Sequence, residues 1–318
     1  MNIPAALVLS AAMVGATVTA SAQELRSSRR SISYHTVEIE GLKVFYREAG
    51  PTDAPAVLLL HGFPSSSRMW EPLLSLLADK YHVIAPDYPG FGNSSAPPPS
   101  DFTYTFDNIA AVIGELTTKL GLAGYVLFMQ DYGGPVGFRI ALAQPERISA
   151  IIVQNAVSHE QGLGPLWSAR RKYWADPAHE LEALKANFTS LEATRQRHLG
   201  SSPHPERYDP DTWTDEYAFL TRPGQAEIQT TLFLDYRTNV ASYPKWQDWL
   251  RKTRPPTLVV WGKYDPSFTV AGAEAYRDDV PDAEIHILEA GHFALDEATD
   301  EIAALVRDFL ARLDGQKR

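Results

Sequence analysis

The sequence predicts an α/β protein: a mostly parallel sheet with helices on both faces, interrupted by one helical insert. Three observations lead there. From about residue 35 to 157, short apolar runs alternate with helix-period segments. That rhythm stops over residues 158–250, which are rich in Trp, Tyr, Arg and Glu with few β-branched runs. It then resumes toward the C-terminus. Apolar runs without polar alternation are what strands covered on both faces require.

The elements follow in order. Residues 37–46 alternate in strand fashion, and residues 56–60 (AVLLL) form a continuous apolar run ending at His61-Gly62, as a fully buried strand does. A helix is expected over 68–80, a strand over 81–86, a helix over 108–120 and a strand over 125–129. Pro135 opens a helical segment reaching 143, where a missing N–H costs nothing because it would have no partner in the first turn. A strand over 148–153 precedes the insert. After it come a strand at 257–261, a helix at 271–279, a strand at 284–288 and a closing helix at 300–313. The chain therefore divides into a leader (1–22), a first core part (23–157), the helical insert (158–250) and a second core part (251–318). An insert at this place caps the carboxyl end of the sheet, where open α/β folds bind ligands.

Composition narrows the function. With 318 residues, 44% of them hydrophobic, the chain can bury one large core. A net charge of −10 argues against nucleic acid as a partner, because phosphate binding needs a basic face. The absence of cysteine removes disulfides, thiolate nucleophiles and Cys-ligated metal. No metal site, phosphate loop or dinucleotide fingerprint is present, so no cofactor is expected. Residues 5–20 are apolar but shorter than the roughly 20 residues of a spanning helix. Ala20-Ser21-Ala22 before Gln23 has the form of a cleavage signal. The expectation is a secretory signal peptide and a periplasmic or secreted mature protein. Arg26, Arg29 and Arg30 just after the cut oppose translocation, and the alternative is an uncleaved surface anchor or an upstream extension.

The chemistry centres on Met129-Gln130-Asp131-Tyr132-Gly133-Gly134, between a buried strand and a helix. That is the setting of a nucleophile elbow, a strained turn that exposes one side chain at the top of a sheet. Here the exposed residue is Asp131. A carboxylate is already ionised at neutral pH and suits displacement at a saturated carbon, leaving an ester that a second step must hydrolyse. The bland alternative is a carboxylate that caps the following helix.

Five motifs in order carry a family resemblance. They are His61-Gly62-Phe63-Pro64, Asp87-Tyr88-Pro89-Gly90-Phe91-Gly92, the elbow, Trp261-Gly262-Lys263-Tyr264-Asp265 and Ala290-Gly291-His292-Phe293. Over about residues 37–313 the chain resembles the Asp-nucleophile branch of the α/β-hydrolase family, which holds epoxide hydrolases and haloalkane dehalogenases. The resemblance implies the α/β-hydrolase fold with a helical cap. It also implies Asp131 as nucleophile, Asp265 as the acid that orients the base, and His292 as the base that activates water. Phe63 and Tyr132 would supply the two backbone N–H groups of an oxyanion hole for the ester's tetrahedral intermediate. Met129 departs from the pattern, since small residues are frequent there, and implies a roomier turn. Asn155 stands where some dehalogenases carry the acid; being uncharged, it leaves that role to Asp265.

Two leaving groups compete. An epoxide opens to an alkoxide, which needs proton donors, and the family's epoxide hydrolases use a pair of cap tyrosines. Asp235-Tyr236-Arg237-Thr238-Asn239 resembles the stretch carrying one of them, with Tyr173 as the partner and Tyr208 and Tyr217 as competitors. A halide needs N–H donors. The family's dehalogenases place Trp directly after the nucleophile, where this chain has Tyr132, so Trp167 or Trp174 would have to donate. The Arg with which haloacid dehalogenases hold a carboxylate at that position is absent. The leading expectation is an epoxide hydrolase acting with water on small apolar substrates. A haloalkane dehalogenase, other hydrolytic or lyase chemistry, and a ligand-binding protein on a retired hydrolase scaffold remain open. An intact triad weighs against the last.

Overall fold

The computed structural model describes residues 32–316, so the leader of residues 1–22 and the Gln23 start lie outside the described residues. Eight strands, β1 (Ser33–Ile39), β2 (Leu42–Ala49), β3 (Ala56–Leu60), β4 (His82–Pro86), β5 (Tyr125–Gln130), β6 (Ile148–Gln154), β7 (Thr257–Gly262) and β8 (Glu284–Leu288), form one sheet. Its order is β1-β2-β4-β3-β5-β6-β7-β8. The β1–β2 and β2–β4 pairs are antiparallel, and every other neighbour is parallel. Successive residues of the central strands feed opposite faces. Leu58, Leu60, Leu127 and Val259 pack in one apolar cluster, whereas Val57, Leu59, Val126 and Leu258 pack in the other. This double burial is why those strands read as unbroken apolar runs, and truncating any of their leucines to alanine should cost about 2–5 kcal/mol.

The stretch 37–46 is not one strand but a hairpin. Glu40 and Gly41 form its two-residue turn with φ of 49° and 81°, the twist that joins antiparallel strands without splaying them. The helices of the first part are α1 (Glu71–Leu77), α2 (Phe106–Lys119) and α3 (Gly133–Ala143). Helix α2 shows the local logic: Thr105 caps it by accepting from the Asn108 N–H at 3.1 Å, and Ile109, Val112, Ile113 and Leu116 face the core.

Between β6 and β7 run six helices: α4 (Trp167–Ala175), α5 (Pro177–Phe188), α6 (Leu191–Leu199), α7 (Pro210–Leu220), α8 (Gln225–Asp235) and α9 (Arg237–Thr253). They are tied to loops at the carboxyl ends of the strands. Arg222 donates to the Gly92 carbonyl at 2.8 Å, Gln229 to that of Gly90 at 3.2 Å, and Trp167 Nε1 to that of Ser267 at 3.0 Å. The segment 271–279, expected as a single helix, is two short ones, α10 (Val270–Glu274) and α11 (Tyr276–Asp279). The closing helix α12 (Ala294–Gln316) begins earlier than its sequence pattern and kinks at Ala298.

Candidate active site

At the end of β5 the chain turns sharply. Asp131 has φ of +47°, a left-handed conformation costly for a residue with a side chain, and α3 begins two residues later. The tight passage dictates the neighbours. A Cβ at Gly133 would lie 2.1 Å from the Leu60 carbonyl oxygen, so only glycine fits. Met129 is accommodated by the helix rather than by a wider turn, for its sulfur fills the place that a Cβ on Gly137 would occupy, 2.3 Å away. The Asp131 carboxylate that results is almost fully buried. Its Oδ1 accepts from the Phe63 N–H at 2.8 Å, and the Tyr132 N–H also donates to the carboxylate. Burial pushes this carboxyl above its ordinary pKa, although His292 and the two N–H groups pull it back.

His292 Nε2 lies 3.7 Å from Asp131 Oδ2, and its Nδ1 lies 2.6 Å from Asp265 Oδ2. Burial alone would lower the imidazole pKa; the charge and hydrogen bond of Asp265, with the charge of Asp131, raise it overall. Asp265 is itself anchored, accepting at Oδ1 from the Ser267 and Phe268 N–H groups (2.6 and 3.0 Å) and at Oδ2 from Asn155 Nδ2 (2.8 Å). Asn155, which also brackets Gly262 through both its amide atoms, positions the acid rather than replacing it. Gln130 Nε2 reaches His292 Nε2 at 3.1 Å, an arrangement in which Nε2 accepts and Nδ1–H donates to Asp265. That tautomer puts the basic lone pair, which accepts from Gln130 in the resting site, on the nitrogen that faces Asp131.

Around the carboxylate is a small chamber of about 20 Å³, lined by Phe63, Asp131, Tyr132, Trp167, Arg170, Arg197, Phe233, Pro266, Ser267 and His292. Of the residues expected to hold a leaving group, Trp167 reaches this wall, but its Nε1 is given to the Ser267 carbonyl. Trp174 Nε1 is likewise given to the Phe233 carbonyl at 2.9 Å. Tyr173 lines a separate outer cavity, and its hydroxyl donates to the Thr230 carbonyl at 3.2 Å. Tyr236 packs on the wall residues Trp167 and Tyr132, with centroid distances of 4.6 and 5.8 Å. Its hydroxyl adjoins that of Tyr243, and burial drives its pKa well above that of an ordinary phenol. Of the competing tyrosines, Tyr208 is bound to Glu297 and lies away from the chamber.

Two residues that the sequence did not single out complete the wall. Arg170 of α4 lies over the Trp167 ring (4.3 Å) and the Phe233 ring (5.3 Å), and Arg197 of α6 lies over Phe63 (4.8 Å). Both are half-buried, and desolvation depresses both guanidinium pKa values, that of Arg197 to about 10. The sequence does hold a signal for Arg170: Trp167, Arg170, Tyr173 and Trp174 share one helix face, so the arginine belongs to an aromatic face. Nearby, His61 is neutral, its pKa lowered to about 4 by burial; it accepts the Tyr88 N–H and donates to the Gly62 carbonyl, bracing the Phe63 loop. Asp296 and Glu297, just after His292, are both engaged. Asp296 binds His198 at 2.6 Å, and Glu297 accepts from the Gly291 N–H at 2.7 Å.

A mostly parallel sheet with a strained elbow after β5, and an acid and a histidine in the loops after β7 and β8, defines a class. The chain belongs to the α/β-hydrolase fold family, whose pattern it matches over residues 55–299, and it is a hydrolase of that family. It is 41% identical over 276 residues to an uncharacterized hydrolase of Saccharomyces cerevisiae, covering 85% of this chain and 94% of the relative. It is 28% identical over 274 residues to haloalkane dehalogenase 2 of Mycobacterium tuberculosis, covering 83% and 90% of the two chains. The solved epoxide hydrolase VrEH1 from Vigna radiata shares the fold, with a TM-score of 0.67, 23% identity and 88% and 98% of the two chains covered.

Proposed function

We propose that this hydrolase opens epoxides through a covalent ester on Asp131. The carrying observation is the carboxylate at the elbow, with Oδ1 on the Phe63 N–H and Oδ2 facing His292. In this reading Oδ2 attacks a ring carbon, the C–O bond breaks, and its electron pair passes to the ring oxygen, which takes a proton from Tyr236. Oδ1 becomes the ester carbonyl, already held by its N–H donors. Water then adds to the ester carbon as His292 Nε2 takes its proton, and the negative charge collects on Oδ1. Collapse of that intermediate releases the diol, whose new hydroxyl takes the proton from His292. The hydrolysis also frees a proton as Asp131 returns to a carboxylate, and this restores Tyr236.

Support for an epoxide over a halide comes from the donors. The Trp167 and Trp174 indoles both serve main-chain carbonyls, and Tyr132 occupies the place of a third. The Tyr236 hydroxyl, enclosed near the charge of Asp131, has no such main-chain commitment. A second reading, cleavage of carbon–halogen bonds, is favoured by the 28% identity to a haloalkane dehalogenase, with Arg170 and Arg197 receiving the halide. Intact-mass measurement of His292→Gln, mixed separately with epoxide and alkyl-halide panels, separates the two. The epoxide reading expects a mass gain of one substrate with epoxides. A gain with halides alone would replace it with the second reading.

A further inference from the structure

The chamber over Asp131 is not the apolar slot expected for a small apolar substrate. Arg170 and Arg197, with Phe233, Pro266 and Ser267, line both this chamber and the larger outer cavity of about 440 Å³. Beyond them the outer cavity is bordered by Leu166, Ala169, Tyr173 and Leu184, with Glu180 also in its lining. Among the described residues no carboxylate lies within ion-pair distance of Arg170, whose Nη2 reaches only the Ser267 hydroxyl at 3.4 Å. Half-burying two guanidinium groups beside one another opposes folding, and the depressed pKa values of both record that cost. In the resting site, the charges of Asp131 and Asp265 offset that of Arg170, and those of Glu216 and Asp131 offset that of Arg197. Once Asp131 is an ester its charge is gone, and the arginines then face an excess of positive charge that an anion on the substrate would neutralise.

We propose that Arg170 and Arg197 grip a carboxylate on the substrate, next to the carbon that Asp131 attacks. The substrates are then 2,3-epoxycarboxylates with an apolar remainder in the outer cavity. The planar guanidinium forks suit a carboxylate, and their approach from α4 and α6 leaves the elbow side open to Asp131. An anionic substrate would otherwise be repelled by Asp131, so the two cations make its approach to a carboxylate nucleophile feasible. This rests on the ester reading above for the reaction, but not for the binding.

Two measurements test it. The first compares kcat/KM for a 2,3-epoxyalkanoate and its uncharged amide in the parent enzyme, Arg170→Gln and Arg197→Gln. The parent should prefer the acid by about thirtyfold or more, and each variant should lose that preference. Equal rates for acid and amide in the parent, or equal falls on both in the variants, would overturn the proposal. The second is calorimetric titration of Asp131→Asn with a saturated alkanoate and the matching alkanol, neither of which can react. The alkanoate alone should bind, and Arg170→Gln in that background should abolish the binding. A failed ester reading would leave this titration intact, whereas alkanoate binding no tighter than alkanol binding would defeat the proposal whatever the chemistry at Asp131.

Discussion

Replacing Asp265 with Asn should separate the two chemical steps. In the structure Asp265 Oδ1 is fixed by the Ser267 and Phe268 N–H groups, so an asparagine would keep its oxygen there and turn its amide toward His292 and Asn155. Two donors would then face it, Asn155 Nδ2 at 2.8 Å and His292 Nδ1 at 2.6 Å. The imidazole escapes the clash by moving its proton to Nε2, which removes the lone pair that should take a proton from water. Attack by Asp131 needs no base and should proceed at near the parent rate. Ester hydrolysis should fall by about 10³–10⁴, the size of the effect when a triad acid is made an amide and the wrong tautomer results. The exchanged hydrogen bonds should also cost about 1–3 kcal/mol of stability. Rapid quenching followed by intact-mass measurement reads both steps: a fast mass gain of one substrate, then slow loss. Turnover within about tenfold of the parent, or slow turnover without any mass gain, would refute this account of Asp265.

Three further outcomes follow from the same geometry. Tyr236→Phe should leave the melting temperature nearly unchanged and slow ester formation from epoxides about a hundredfold, while ester hydrolysis stays the same; an unchanged rate of ester formation would remove Tyr236 from the reaction. In the resting enzyme burial opposes the charge of His292, but Asp265 and ionised Asp131 together raise its pKa, so its imidazole should titrate above about 6.5; an NMR titration of the substrate-free enzyme with a lower midpoint would contradict this. His198, buried between Glu216 and Asp296 at 2.8 and 2.6 Å, is pushed up to about 10: burial opposes its charge, and the two carboxylates outweigh it. A raised pKa stabilises the fold fully below the unfolded value of about 6.5, and that stabilisation is lost as pH rises through the folded value. His198→Phe keeps a ring against Phe293 but strands two carboxylates. It should cost about 3–5 kcal/mol in chemical denaturation near pH 6 and less near pH 10, and a cost independent of pH would refute the ion-pair account.

What the sequence made legible follows from how directly each feature depends on local pattern. Strand β3 has the bounds read from its unbroken apolar run, the mark of burial on both faces, and the partly buried edge strand β8 (EIHIL) has those read from its alternation. The hairpin was less visible. Its mark was the skip from Ile39 to Leu42 in an otherwise alternating stretch, and a two-residue turn leaves little more. Asp131, Asp265 and His292 were readable because each sits in its own loop motif just beyond a strand, and the sheet brings the three together. The chamber wall was not readable. Arg170 and Arg197 lie on two insert helices, and only the packing of α4 and α6 over the loop after β7 brings them to Asp131. A lone arginine on a short helix reads as solvated until its aromatic neighbours are counted. The donors of Tyr173, Trp167 and Trp174 were equally hidden, since their partners are main-chain carbonyls that leave no trace in sequence.

The central claim is that Asp131 forms an ester whose own oxygen ends in the product. It is tested most directly by one turnover, with enzyme in excess over substrate, in water enriched in ¹⁸O. Hydrolysis at the Asp131 carboxyl carbon predicts that the peptide bearing Asp131 gains heavy oxygen, while the diol from that first turnover carries none. Heavy oxygen in the first-turnover diol, with the Asp131 peptide unlabelled, would mean that water attacks the substrate directly and that Asp131 is not the nucleophile.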